Sequence, residues 1–131
     1  MKEKALSPPD LEAMRRRPRL FLTTYGEGGR SGTVPVFFLA HGGKLYFTTK
    51  KATLKARRIR KNPRVTVRFG SREAEPYAGR AFWVEDLALY DFILDSYRKK
   101  YWFLTPLFHR MLRRRKERGE STAVEIRFGG G

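Results

Sequence analysis

The chain has no cysteine in its 131 residues, which excludes a disulfide framework and any thiolate metal site. Histidine is nearly as scarce. His41 stands in a turn and His109 in a helical stretch, and their spacing suggests no metal site. Acidic side chains number 13 against 29 Lys and Arg. No pair of carboxylates stands out for acid–base work, and no Ser/His/Asp set is legible. No apolar run approaches the length needed to cross a membrane and no signal peptide is visible, so the cytoplasm is the default location. A chain with so little reactive machinery needs a bound cofactor if it is to catalyse anything.

What is present describes a folded domain. Hydrophobic residues make up 40% of the chain and aromatics 14%, too much apolar surface for a disordered segment. The length suits one domain with its own core but is small for a fully enclosed active site, so a cleft completed at a dimer interface is expected. The net charge of +16 predicts attraction to polyanions: nucleic acid, anionic lipid or a phosphorylated ligand.

The stretch Lys44–Val67, KLYFTTKKATLKARRIRKNPRVTV, organises the rest. It reads as a strand (Lys44–Thr49), a short basic helix and a second strand (Pro63–Val67). Ala52, Ala56 and Ile59 recur at helical spacing, leaving Lys51, Lys55 and Arg58 as one basic ridge and Arg57 and Lys61 as another. Thr48 or Thr49 is placed to cap the helix, with Lys50 and Lys51 at the positive end of its dipole. A helix that served stability alone would carry acids there. Free backbone donors, threonine hydroxyls and lysines together suit a phosphate; the competing reading is a solvated basic helix.

Around this centre, residues 1–19 form a helical lead-in. Ser7-Pro8-Pro9-Asp10 turns into a cap, Leu11 and Met14 give a thin apolar face, and Pro18 is the stop. Leu20–Tyr25 is a strand, Gly26-Glu27-Gly28-Gly29 a turn and Thr33–Leu39 the returning strand. Pro35 inside that strand marks an edge or a bulge. Ala40-His41-Gly42-Gly43 turns back into Lys44, so two consecutive hairpins suggest a barrel rather than a dinucleotide fold. Tyr77–Val84 is another strand, with Gly79 at a bulge or close approach. Asp86 and Glu85 cap a helix whose stripe of Leu87, Tyr90, Leu94, Tyr97 and Tyr101 is best read as core. Thr105-Pro106 opens a second helix, with Leu107, Phe108, Met111 and Leu112 on its buried side and Arg113 to Lys116 and Arg118 complementing the dipole of its last turns. Gly119 ends it. Thr122–Phe128 closes the sheet, and residues 129–131 form a flexible tail. The sum is an α+β chain, mainly β: about six antiparallel strands, a short helix within the sheet and a helical pair before the last strand.

LFLTTYGEGGRSGTVPVFFLAHGGKLYFTTKKATLKARRIRKNPRVTV resembles the opening half of the split β-barrel flavin and deazaflavin proteins, the pyridoxamine-phosphate-oxidase-like superfamily. The shared features are a hairpin with a (T/V)PV segment, a KLYFTT strand and a K-x-(R/K)-x-(I/L)-(R/K)-x-NP run. GRAFWVED, the paired helices and the terminal VEIRF strand fit as well, so the likeness spans roughly residues 10 to 128, with the barrel over 20–128. The subclass it is most similar to is the small bacterial F420-dependent one. The resemblance implies a six-stranded split barrel forming a homodimer, with cofactors at the subunit interface and a small-molecule substrate. It implies that Lys55 and the Thr48 and Thr49 hydroxyls contact the cofactor phosphate, with Thr53, Arg57 and Arg58 nearby. Val34, Pro35, Val36 and Phe37 would lie along the ring system. Arg58 stands where some relatives have asparagine. Relatives bind FMN, F420 or haem; the acidic tail of F420 would suit the surplus of Lys and Arg, and the subclass resemblance favours F420 over FMN.

Three functions follow in order. The first is an oxidoreductase moving a hydride between F420 or FMN and a small organic substrate. The second is a carrier or sensor of the same cofactor. Well below these is a basic nucleic-acid-binding barrel, because the strand aromatics sit in apolar runs that core burial explains.

Overall fold

A computed structural model describes residues 8–104 and 106–129, without the side chains of 116 and 117. The expected roles of Ser7 and Thr105, the side chain of Lys116 and the tail residues 130–131 lie outside that range.

The strands are β1 (Leu20–Tyr25), β2 (Ser31–Val36), β3 (Leu39–His41), β4 (Lys44–Lys50), β5 (Arg64–Phe69), β6 (Tyr77–Val84) and β7 (Ser121–Phe128). The helices are α1 (Leu11–Met14), α2 (Leu54–Lys61), α3 (Leu87–Lys100) and α4 (Pro106–Glu117). All strands join one antiparallel sheet in the order β2-β1-β5-β6-β7-β4-β3. The sheet has seven strands, not six. The continuous strand expected over Thr33–Leu39 is broken, and its two pieces stand at opposite ends of the strand order.

The break has a visible cause. Phe37 and Phe38 leave the ladder, and side chains of α3 replace their lost partners. Tyr97 Oη donates to the Phe37 carbonyl at 3.0 Å, Lys100 Nζ to the Phe38 carbonyl at 2.9 Å, and Phe38 N–H to Tyr101 Oη at 3.2 Å. Three chain steps separate Val36 from Leu39, so these residues lie within roughly 11 Å of each other. Two residues therefore draw the sheet's outer edges together and curl it into a half-barrel. Pro35 lies in β2, an edge strand, where its missing N–H costs no ladder bond on the solvent side.

Alternation sorts the core into two. Leu20, Leu22, Phe38, Leu45, Phe47, Val65, Val67, Val124 and Ile126 fill the barrel. On the outer face, Tyr46 and Ala123 meet the α3–α4 pair through Tyr90, Ile93, Leu94, Tyr97, Tyr101 and Leu112. The aromatic stripe of α3 is core, as its spacing indicates. Its first member is not: Leu87 is exposed. Asp86 Oδ1 accepts from Ala88 and Leu89 N–H and caps α3, while Glu85 instead binds Lys51 at 2.6 Å. Of the four apolar residues expected on the buried side of α4, Phe108 and Leu112 turn inward, whereas Leu107 and Met111 are exposed. Gly79 marks a close approach: a Cβ there would meet the Arg127 carbonyl and Phe128 Cε1 at 3.1 Å.

Candidate functional site

The site is built where β4 runs into α2. The sheet ladder holds β4 to Lys50, one residue beyond the expected end, because Lys50 pairs with Ser121 of β7. The helix starts later than its apolar spacing suggests, and Ala52 stays exposed outside it. Thr53, not Thr48 or Thr49, is the N-cap. Its Oγ1 accepts from Ala56 N–H at 3.3 Å and donates to the Lys50 carbonyl at 2.9 Å. Lys50 and Lys51 therefore precede the helix, and the cation inside its first turn is Lys55. The N–H groups of Leu54 and Lys55 have no partner within a helix that begins there.

Strand alternation separates the two threonines that the sequence groups together. Thr49 faces the barrel end with its Oγ1 3.2 Å from that of Thr53. Thr48 faces the outer side, where the buried Tyr97 hydroxyl interacts with its backbone and side chain. The same hydroxyl binds the Phe37 carbonyl, so Tyr97 links Thr48 to Phe37. Burial pushes the Tyr97 hydroxyl well above the usual tyrosine range, with Tyr101 adding to the effect, so Tyr97 is a neutral donor.

Lys55 is half-buried. Its ammonium is held below the ordinary lysine range by burial first and by the Arg115 guanidinium of α4 second. Among the described residues neither cation has a carboxylate partner. The Lys55 ammonium, repelled by Arg115, stands at a helix N-terminus with the Thr49 hydroxyl and the free Leu54 and Lys55 N–H groups, and no carboxylate among the described residues receives it. The residues fit a phosphate: every group in the cradle is a cation, a hydroxyl or a backbone donor.

Arg57 and Arg58 are not in that cradle. They line a trough of about 1150 Å³ on another flank of α2, together with Tyr25, Arg30, Arg60, Lys61 and Trp83. Arg58 lies so close to the β1–β2 hairpin that a Cβ on Gly26 would fall 2.9 Å from its Nε, and one on Gly32 3.0 Å from a terminal nitrogen. Gly26 has an ordinary φ of −106°. Its missing side chain makes space for Arg58 rather than permitting a special turn. Trp83 Nε1–H donates to the Ala56 carbonyl at 2.9 Å, and Arg60 stacks 4.4 Å from the Trp83 ring centroid.

Val34 and Pro35 are exposed on edge strand β2, and Val36 is half-buried. Phe37 stacks on Tyr101 with centroids 4.3 Å apart, inside the helical-pair cluster. The structure thus sets the sequence-derived residues in four places: Thr49, Thr53 and Lys55 at the helix start, Thr48 and Phe37 around Tyr97, Arg57 and Arg58 in the trough, and Val34, Pro35 and Val36 on edge strand β2. Sequence reasoning missed Arg115 and Tyr97. Arg115 sits in a run that helix-dipole complementarity already explains, and Tyr97 sits in a stripe that packing explains. Nothing local marks either one.

A family model described as pyridoxamine 5'-phosphate oxidase matches residues 8–129. No curated protein matches the chain. Among solved structures, the heme storage protein HutZ of Vibrio cholerae is similar at a TM-score of 0.70 and 17% identity, over 96% of this chain and 92% of that one. A FAD-binding protein of Mesorhizobium loti aligns at 0.63 and 17%, over 94% and 90%. General stress protein 26 of Bacillus anthracis aligns at 0.63 and 21%, over 95% and 86%. At these identities the structures share the fold with this chain.

Proposed function

The chain belongs to the pyridoxamine 5'-phosphate oxidase family, and from that premise we propose that it binds a flavin-type cofactor by its phosphate and serves as an oxidoreductase for a small organic substrate. The observation that carries this reading is the half-buried Lys55, in the first turn of α2 and within the repulsive field of Arg115, without a carboxylate partner among the described residues. Burying an unpaired cation is costly, and a phosphate dianion reverses that cost.

Thr49, Lys55 and the Leu54 and Lys55 N–H groups would hold the phosphate, Thr53 would fix the helix start that presents them, and the positive field of Arg115 would favour its second charge. Val34–Val36 would border the ring system, and Tyr97 would keep the Thr48–Phe37 wall of that region in place. When bound, such a cofactor supplies the hydride chemistry, for which the chain itself has no reactive group in this region. The protein's own part is to fix the head group, exclude water along β2 and hold its surroundings positive. A homodimer would complete the cleft, since a domain of this size is small for a fully enclosed active site.

F420 is favoured over FMN because a single phosphate leaves the trough of Arg57, Arg58, Arg60 and Lys61 without a role, whereas an acidic tail gives those cations partners. The test is a titration of the purified chain with FMN and with F420 in parallel. Saturable binding of either supports the reading, and tighter F420 binding supports the deazaflavin. No binding of either removes the proposal. A cofactor carrier without turnover is the second reading, favoured by likeness to a heme storage protein. Cofactor binding with no hydride transfer to any nitro, quinone or enone acceptor would select it.

A further inference from the structure

Helix α4 and the turn before it display apolar side chains that the fold does not cover. Trp102 is 78% exposed, Leu107 70%, Phe103 61% and Met111 39%. The Trp102 and Phe103 rings lie 6.1 Å apart, and Leu107 and Met111 fall one turn apart on the same helical face. A single exposed leucine is ordinary, but several large apolar groups at one corner mark a contact surface. Beside them a cleft of about 470 Å³ gathers Arg98, Arg110 and Arg113 around Trp102. Arg98 also reaches Asp95 at 3.9 Å; among the described residues no carboxylate pairs with Arg110 or Arg113. From Ser96 to Arg115 the sequence holds seven Lys and Arg and no Asp or Glu.

Charge decides what can cover such a corner. A second copy packed across a twofold axis presents the same patch from both sides, which would set these arginines against one another. An acidic bilayer surface meets both halves of the patch. Aromatic and aliphatic side chains enter the boundary between headgroups and acyl chains, and guanidinium groups bind lipid phosphates. Among the described residues no helix is long and apolar enough to cross a membrane, so the contact would be peripheral. We propose that the corner formed by Trp102, Phe103, Leu107 and Met111, with Arg98, Arg110 and Arg113 behind it, docks this protein on the surface of an anionic phospholipid bilayer. This surface is separate from the phosphate cradle, and the two sites stand or fall independently.

The test is co-sedimentation of the full chain with vesicles of phosphatidylcholine and phosphatidylglycerol, against vesicles of phosphatidylcholine alone, while tryptophan emission is followed. The expected result is binding to the anionic vesicles only, weakened by salt, with a blue shift that Trp102→Phe abolishes. Replacing Arg98, Arg110 and Arg113 together by Gln should lower partitioning roughly a hundredfold, the product of three basic residues near an acidic surface. Trp102→Ser with Phe103→Ser should also weaken it, with circular dichroism and Tm unchanged because both side chains are exposed. Equal binding to both vesicle types, or full binding by the triple Gln variant, overturns the proposal. So does a blue shift without lipid that grows with protein concentration as the mass doubles, which would identify a second copy as the occupant. Binding of free glycerol phosphate without vesicle binding overturns it in favour of a small soluble ligand.

Discussion

Lys55 holds a charge that its surroundings oppose, which makes it the most informative residue in the chain. Burial and Arg115 lower its pKa, so its ammonium is lost at a lower pH than that of an ordinary lysine. Affinity for a phosphate-bearing cofactor should therefore decline as pH rises through that lowered value. Lys55→Ala should weaken FMN or F420 binding by about 1.5–3 kcal/mol, the range for a charge-assisted hydrogen bond, as read by calorimetric titration. Unchanged affinity would place the phosphate elsewhere. Lys100 offers a second residue-scale test that needs no ligand. Burial, with a smaller contribution from Arg15, holds it at about 8 against an ordinary 10.5. Between those values the unfolded chain binds more protons than the folded one, so Lys100 makes stability rise with pH across that window. Urea denaturation from pH 8 to pH 9, below the range where unfolded tyrosines ionise appreciably, should show that rise, and Lys100→Met should flatten it. An unaltered slope would assign the effect to another group.

At the scale of elements, α2 shows how a one-turn displacement changes the chemistry at a helix start. Capping by Thr53 instead of Thr48 or Thr49 moves Lys50 and Lys51 out of the first turn and brings Lys55 into it. Thr53→Ala should cost about 1 kcal/mol, as loss of an N-cap does, and lower the urea midpoint at constant m value. A neutral result would mean that the sheet and Trp83 hold the helix without its cap. The existence of α2 was readable from Ala56, Ile59 and the basic residues between them. Its start was not, because the β4–β7 pairing that extends the strand to Lys50 involves residues some 70 positions apart. The broken strand at Phe37–Phe38 is a similar case. Alternation sees only which residues are apolar, and these two are apolar in either conformation. The partners that release them from the ladder are Tyr97, Lys100 and Tyr101, far along the chain.

Across the whole molecule, one of the three side chains that hold the strand break also ties it to the chain before β1. Tyr101 Oη accepts from Phe38 N–H and donates to the Pro18 carbonyl at 2.7 Å, tying α3 to the strand switch and to the lead-in before β1. Burial raises this hydroxyl to about 12, so it stays neutral at any physiological pH. Tyr101→Phe keeps the ring and its stacking on Phe37 but leaves the Phe38 N–H buried without a partner. The expected loss is about 1–3 kcal/mol, measured by chemical denaturation. An unaltered midpoint would show that a water molecule substitutes for the hydroxyl.

Composition, periodicity and local turn chemistry were enough to establish a basic, cysteine-free α+β chain, the positions of β1 and β6, an edge role for the proline strand and a basic helix following β4. Each of these depends on neighbours within a few residues. Tertiary structure alone decided the seventh strand, the opposite facing of Thr48 and Thr49, the repulsion of Lys55 by the distant Arg115 and the separation of Arg57 and Arg58 into their own trough. These follow from which strand lies beside which and from where a distant helix packs, and no short window of sequence contains both partners.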